Sequence, residues 1–106
     1  MKIRTGLTLA AILAATTATT AFAQGAGADT YKAKCVICHG ADGLGTTPSG
    51  KALKAASFKD PAIVKTPNAE LIATVKSGKN KMPAYAGKLT DAEITATIAY
   101  IRTLQK

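Results

Sequence analysis

Three ligand side chains lie within five residues of this chain, in the segment Cys35-Val36-Ile37-Cys38-His39. They are the only two cysteines and the only histidine in the sequence. Two thiols and an imidazole at this spacing could form a redox-active dithiol, supply part of a zinc site, or attach a c-type haem through two thioether bonds.

The first two chemistries find little support elsewhere in the sequence. A thioredoxin-type dithiol needs strands that alternate with helices, and no segment here has the alternating pattern of a half-buried strand. A structural zinc site takes four ligands, which is more than the cysteines and the histidine can supply. A disulfide between Cys35 and Cys38 would close a very short loop and add little stability. The interpretation that remains is covalent haem attachment through Cys35 and Cys38, with His39 as a ligand of the iron.

A second iron ligand is available from Met82. After removal of Met1 it is the only methionine left, and it lies in a predicted loop over residues 78–88 rather than on an apolar helix face. Methionine commonly fills gaps in a core. Here, however, Pro83 stiffens the segment, and a helix is predicted on either side of it. We therefore expect the Met82 thioether to reach the iron from the wall opposite His39.

The elements that must position these residues are predicted to be helical. The clearest is a C-terminal helix, which Thr90 and Glu93 begin with a capping box and which carries an apolar stripe at the helical period. Further helices are predicted over residues 29–38, 51–56 and 66–77, with a brief turn at Pro61. The fold class predicted from the pattern is all-α with long loops.

The first 23 residues have the pattern of a secretory signal peptide. Lys2 and Arg4 precede a short apolar centre at residues 7–15, and Ala21-Phe22-Ala23 has the small residues of a cleavage site. The apolar centre is shorter than the roughly 20 residues that span a bilayer, and an uncleaved amphipathic anchor is the alternative. Cleavage after Ala23 would leave one domain, residues 24–106, with no membrane span and a periplasmic location.

The remaining chain is basic, with 12 lysine and arginine residues against 6 aspartate and glutamate residues once Lys2 and Arg4 are removed. Nucleic acid is a poor partner for an exported protein of this size. A monomer that docks on an acidic protein surface agrees better with the charge, because opposite charge accelerates encounter. The domain is also small and has few bulky side chains, so we expect a cofactor to complete its core.

Three separated segments resemble the small class I c-type cytochromes, and the resemblance covers nearly the whole mature chain. They are Tyr31-Lys32-Ala33-Lys34-Cys35-Val36-Ile37-Cys38-His39-Gly40, Lys81-Met82-Pro83-Ala84-Tyr85 and Ile98-Ala99-Tyr100-Ile101-Arg102.

The resemblance implies a cytochrome c fold in which three main helices and long loops wrap around one haem c. It implies that Gly27 and Tyr31 in the first helix contact Tyr100 in the last, and that Tyr85 lies in the haem pocket. It also implies that a proline carbonyl accepts a hydrogen bond from Nδ1 of His39, for which Pro48 is the nearest candidate.

The expected function is that of a soluble single-electron carrier, because His39 and Met82 leave no vacant iron position for a substrate. Lys34, Lys51, Lys81 and Lys88 are expected to steer docking on redox partners with acidic surfaces. The alternative is a peroxidase or gas sensor whose methionine can leave the iron.

Overall fold

The computed structural model describes residues 18–106, with side chains described from Gly25 onward. Residues 1–17, which hold most of the predicted signal peptide, lie outside the described part. Within residues 18–106, six helices follow one another, namely α1 (Ala18–Lys34), α2 (Val36–His39), α3 (Pro48–Leu53), α4 (Pro61–Lys65), α5 (Asn68–Ser77) and α6 (Asp91–Leu104).

The all-helical prediction is confirmed across residues 18–106. No strand forms there, and β pairing is limited to isolated bridges between Lys79 and Met82 and between Ala86 and Leu89. The three longest helices are α1, α5 and α6, which agrees with the expectation of three main helices. None of the helices in the described part combines the length and the apolar composition that crossing a membrane requires.

The predicted capping box at the start of α6 is confirmed. The Glu93 backbone N–H donates to the Thr90 hydroxyl at 3.1 Å, and the Thr90 backbone N–H donates to the Glu93 carboxylate at 3.0 Å. The hydrogen bond from the Thr90 backbone N–H is the main cause that lowers the pKa of the Glu93 carboxyl. Leu89 and Ile94, on either side of the cap, are both buried, as a hydrophobic staple requires.

The crossing of α1 and α6 forms the centre of the core. Gly27 faces the carbonyl of Ala96 so closely that a β-carbon at residue 27 would overlap it. One turn later, the fully buried Tyr31 packs against Tyr100 with ring centroids 5.2 Å apart. The predicted helix contact therefore forms, but Gly27 meets Ala96 rather than Tyr100, because Tyr100 lies one turn further along α6.

Tyr31 also connects this core to the cysteine-histidine segment. Its hydroxyl donates to the carbonyl of Gly40, the residue after His39, at 2.5 Å. Burial raises the pKa of Tyr31, so the phenol remains protonated and able to donate. The Gly40 carbonyl also accepts from the Gly43 N–H at 3.2 Å, so the phenol is the second of its two donors.

The N-terminal helix differs from the predicted span of 29–38. It begins at Ala18, and it ends at Lys34, so that Cys35 separates α1 from the single turn of α2. Asp29 is an exposed residue inside α1 rather than its cap. The helix extends past Gly25 and Gly27 because its packing against α6 outweighs the low helix propensity of glycine.

Two further helices have different starts from those predicted. Thr47 caps α3 by accepting from the Gly50 N–H at 2.9 Å, so this helix begins at Pro48 rather than at residue 51. The hydroxyl of Thr66 donates back to the Ala62 carbonyl at 2.7 Å instead of capping the next helix, and Pro67 becomes the N-cap of α5.

Arg102 fastens α6 to the connection between α4 and α5. Its Nε donates to the Asn68 side chain at 2.8 Å, and its terminal nitrogens donate to the carbonyls of Ile63, Val64 and Thr66. The guanidinium thus pairs the carbonyls of Val64 and Thr66 at the C-terminal end of α4, whereas that of Ile63 also accepts from the Thr66 N–H.

The contact at Gly27 predicts a position-specific effect of alanine. Gly27→Ala should destabilise the folded protein by about 1–3 kcal/mol, because the added methyl forces α1 away from α6. Gly25→Ala is the matched control, since nothing lies within 4 Å of a β-carbon there. We expect a lower thermal midpoint for Gly27→Ala alone, measured by circular dichroism. Equal midpoints for the two variants would contradict a close helix crossing.

Candidate haem site

A cavity of about 430 Å³ brings the predicted ligand residues together. Cys35, Cys38 and His39 line one side of it, and Met82 and Tyr85 line it from the loop that follows α5. A second cavity of about 90 Å³ reaches the apolar core, and Cys35, His39 and Met82 line this one as well. An apolar cleft therefore lies between the cysteine-histidine segment and Met82.

Helix α3 holds the cysteine-histidine segment from outside. The Thr47 hydroxyl donates to the carbonyl of Ile37 at 2.7 Å and lies 3.1 Å from that of Cys38. Gly50 packs directly on the Cys38 carbonyl, leaving no room for a β-carbon. These contacts fix the turn in which the His39 N–H donates to the Cys35 carbonyl at 3.0 Å.

The His39 ring is held in one tautomer. Its Nδ1 lies 3.1 Å from the carbonyl oxygen of Ala56. Because a carbonyl can only accept, Nδ1 carries the hydrogen and Nε2 keeps a free lone pair. Burial lowers the pKa of His39, and the hydrogen bond to Ala56 opposes that shift only in part. The neutral imidazole with a free Nε2 is the form that binds a metal.

The prediction that Pro48 supplies this carbonyl is wrong, since Ala56 does. Pro48 is the first residue of α3, where its carbonyl points along the helix toward the following turn. The hydrogen bond falls to Ala56 because the chain returns past His39 only after α3 has ended at Leu53.

Cys35 lacks the environment of a reactive thiol. Burial raises the pKa of the Cys35 thiol to about 11, whereas reactive thiols have a lowered pKa. Cys35 and Cys38 form no disulfide. In the described part of the chain, no group of three or more cysteine, histidine, aspartate or glutamate side chains is placed to hold a metal ion. A zinc site is therefore not supported.

Local hydrogen bonds shape the loop that carries Met82. The Lys79 N–H donates to the Met82 carbonyl at 3.1 Å, and the Met82 N–H donates to the Lys79 carbonyl at 2.9 Å. Gly78 has φ +74, and a β-carbon there would lie 2.7 Å from the Met82 carbonyl. The Tyr85 N–H then donates to the Val75 carbonyl at 3.0 Å, which ties the loop to α5.

Tyr85 joins this loop to the end of α1. Its hydroxyl donates to the carbonyl of Lys34, the residue before Cys35, at 3.3 Å. Burial is the main cause that raises its pKa, so the phenol stays neutral. The side chain lines the cavity as the resemblance implied.

Cations surround the larger cavity. Lys34 and Lys81, two of the four lysines expected to steer docking, line it, whereas Lys51 and Lys88 do not. Lys54 and Lys79 also line the cavity, and no carboxylate is among the residues that line it. The apolar rim includes Ile37 and Leu53, whose exposed fractions are 71% and 43%.

Sequence reasoning missed several residues that hold the site, namely Thr47, Gly50, Ala56 and Phe58. Phe58 stacks on His39 with ring centroids 4.5 Å apart. It is the only aromatic residue between His39 and Met82 in the sequence, and that was the one available signal. Thr47, Gly50 and Ala56 carried no comparable signal in the sequence.

The donors in this cavity fit a covalently bound iron porphyrin. Two thiols at the required spacing can form thioethers with the vinyl groups, a neutral imidazole can bind iron, and the Met82 thioether lines the same apolar space. Such a group also supplies the apolar bulk that the small core lacks.

Comparison with known proteins points to the same chemistry. Residues 22–101 match the family model described as cytochrome c oxidase, cbb3-type, subunit III. The chain is 34% identical over 100 residues to cytochrome c6 of Picosynechococcus sp. (strain ATCC 27264 / PCC 7002 / PR-6), covering 88% of this chain and 83% of the relative. It is 35% identical over 77 residues to cytochrome c6 of Parathermosynechococcus lividus, covering 71% and 83%.

The solved structure of the KustC0563 c-type cytochrome has the same fold. It superposes with a TM-score of 0.69 at 32% identity, covering 76% of this chain and 98% of that one. The residues that the family model matches include all those that line the cavity. The chain thus belongs to the cytochrome c family, as a small class I c-type cytochrome that carries electrons on a covalently bound c-type haem.

Proposed function

We propose that the chain is a periplasmic one-electron carrier whose haem is attached through Cys35 and Cys38 and whose iron is ligated by His39 and Met82. The observation that carries this proposal is that the imidazole and the thioether, which come from separate elements, line the same two cavities. Filling both axial positions would leave no site for a substrate, so we propose transfer of electrons without catalysis.

The proposed roles of the residues follow from their contacts. When bound, the haem iron takes up and releases one electron. His39 Nε2 would donate to the metal, and the Ala56 carbonyl would increase the basicity of that nitrogen through Nδ1–H. The Met82 thioether would favour reduced iron and raise the potential, and the apolar lining would exclude water. Tyr85 would help to hold the Met82 loop against the start of the cysteine-histidine segment.

Replacement of Met82 tests the axial assignment. Met82→Ala should lower the reduction potential and allow the reduced protein to bind carbon monoxide rapidly, with a shift of the Soret band. The wild-type protein is the control, and it should bind no carbon monoxide. An unchanged spectrum and potential in Met82→Ala would remove Met82 from the ligand set, and rapid binding by the wild type would favour a sensor or peroxidase.

We also propose that the cations around the cavity guide docking on redox partners with acidic surfaces. Lys34, Lys54, Lys79 and Lys81 surround an apolar rim, so a partner with complementary charge would approach with its contact centred on the cavity mouth. Lys51 and Lys88, which were also expected to steer docking, do not line the cavity and are not included in this proposal.

Small redox reagents of opposite charge test this guidance. Oxidation by ferricyanide should slow steeply as salt is raised, whereas oxidation by a cationic cobalt(III) complex should not slow. The double variant Lys54→Glu/Lys81→Glu should lower the ferricyanide rate at low salt several-fold. Lys65→Glu/Lys106→Glu is the matched control, because both lysines are exposed and neither lines the cavity. Equal rates for the two double variants would refute a local effect.

Export and attachment can be tested on one sample. We expect the mature protein from the periplasmic fraction to have, under denaturing conditions, the mass of residues 24–106 plus one haem. A haem that dissociates on denaturation would contradict the two thioether bonds, and a mass that includes residues 1–23 would contradict cleavage after Ala23.

A further inference from the structure

The ring of Phe58 lies against the face of the His39 imidazole. The two ring centroids are 4.5 Å apart, and the ring planes differ by 20°. Tyr31 also packs near Phe58, but that pair is tilted by 60° at 6.2 Å, and the pair of Tyr31 and Tyr100 is tilted by 51°. Among these aromatic pairs of the described residues, the parallel arrangement occurs only at His39.

The same loop segment holds the imidazole in a second way. Ala56, two residues before Phe58, accepts the hydrogen bond from Nδ1. A single hydrogen bond fixes the direction of the Nδ1–H group but lets the ring turn about that bond. Contact with a flat ring removes this freedom, because a rotated imidazole would collide with Phe58. The edge and the face of His39 are thus held by separate residues.

Phe58 is itself firmly placed. Its N–H donates to the Gly43 carbonyl at 2.8 Å, and its carbonyl accepts from the Gln105 side chain at 3.0 Å. A β-carbon on Gly43 would lie only 2.7 Å from Cδ2 of the ring. The side chain is 9% exposed and belongs to the core cluster of Tyr31, Ile98 and Ile101. Because the core restrains Phe58, the Phe58 ring can in turn restrain the imidazole that packs against it.

We propose that Phe58 is a positioning residue that fixes the plane of the His39 imidazole. The inference rests on the proposed function, in which His39 is an axial ligand of the haem iron. In oxidised low-spin haem, the plane of an axial imidazole affects how unpaired spin is distributed over the porphyrin. A defined plane would therefore give a single distribution, and a loosened plane would change it without any change of ligand.

Three variants of the haem-containing protein test this inference. Phe58→Leu keeps an apolar side chain but removes the flat ring, Phe58→Tyr restores the ring, and Ile94→Val is a core control, since Ile94 is fully buried and lines neither cavity. Proton NMR of the oxidised protein reads the shifts of the four haem methyl groups. We expect Phe58→Leu to change the pattern of these shifts and Phe58→Tyr to retain the wild-type pattern. Ile94→Val should lower the thermal midpoint with no change of pattern.

A measurement on the wild-type protein keeps the inference testable if Phe58→Leu fails to fold. Nuclear Overhauser contacts between the Phe58 ring protons and the His39 imidazole protons should be present in the haem-containing protein. Their absence, or a wild-type methyl pattern in folded Phe58→Leu, would overturn the positioning role. If the wild-type protein lacks the resonances of iron-bound histidine and methionine, the proposed function fails instead, so the two failures are distinguishable.

Discussion

The close crossing of α1 and α6 is the constraint on which the other parts of the structure depend. Gly27 allows the two backbones to approach at Ala96, and this approach buries Tyr31 one turn later. Buried in this way, the Tyr31 hydroxyl can reach the Gly40 carbonyl just after His39. The contact between the first and the last helix therefore also holds the end of the cysteine-histidine segment, through Tyr31.

The two sides of the cavity use different kinds of interaction. On the histidine side, backbone carbonyls are held by Thr47, packed against Gly50 or directed at the imidazole, as Ala56 is, so the geometry is set by many short polar contacts. On the other side, Met82 lies in a loop with its own turn and with lysines on both sides. The first arrangement fixes the position of the His39 ring, and the second places positive charge near the mouth of the cavity.

Local patterns were predictable from the sequence, and long-range paths were not. The capping box of Thr90 and Glu93 depends on residues three apart, so the start of α6 could be predicted. The carbonyl that meets His39 depends on the path of the chain from 40 to 58, part of which is set by Gly45 at φ +70, where a β-carbon would lie 2.6 Å from the Ala55 carbonyl. No local pattern encodes that path, so Pro48 was the wrong choice.

Charge positions divide along the same line. Lys34 and Lys81 are adjacent in sequence to Cys35 and Met82, which is why two of the lysines that line the cavity could be selected from the sequence. Lys54 reaches the rim because α3 ends in a left-handed residue, with φ 56, and this was not evident from an isolated lysine. Phe58 was missed, since its stacking on His39 depends on the path of the chain between the two residues.

The way in which the Met82 loop is bonded has a consequence for how such proteins can diversify. Its backbone hydrogen bonds run within the loop and to Val75 and Lys76 of α5. The cysteine-histidine segment is held instead by Thr47, the N-cap of α3, and by Tyr31. The Tyr85 hydroxyl is the hydrogen bond that links the two parts. Substitutions between residues 79 and 88 can therefore change the surface of this loop while the hydrogen bonds that hold the cysteine-histidine segment stay in place.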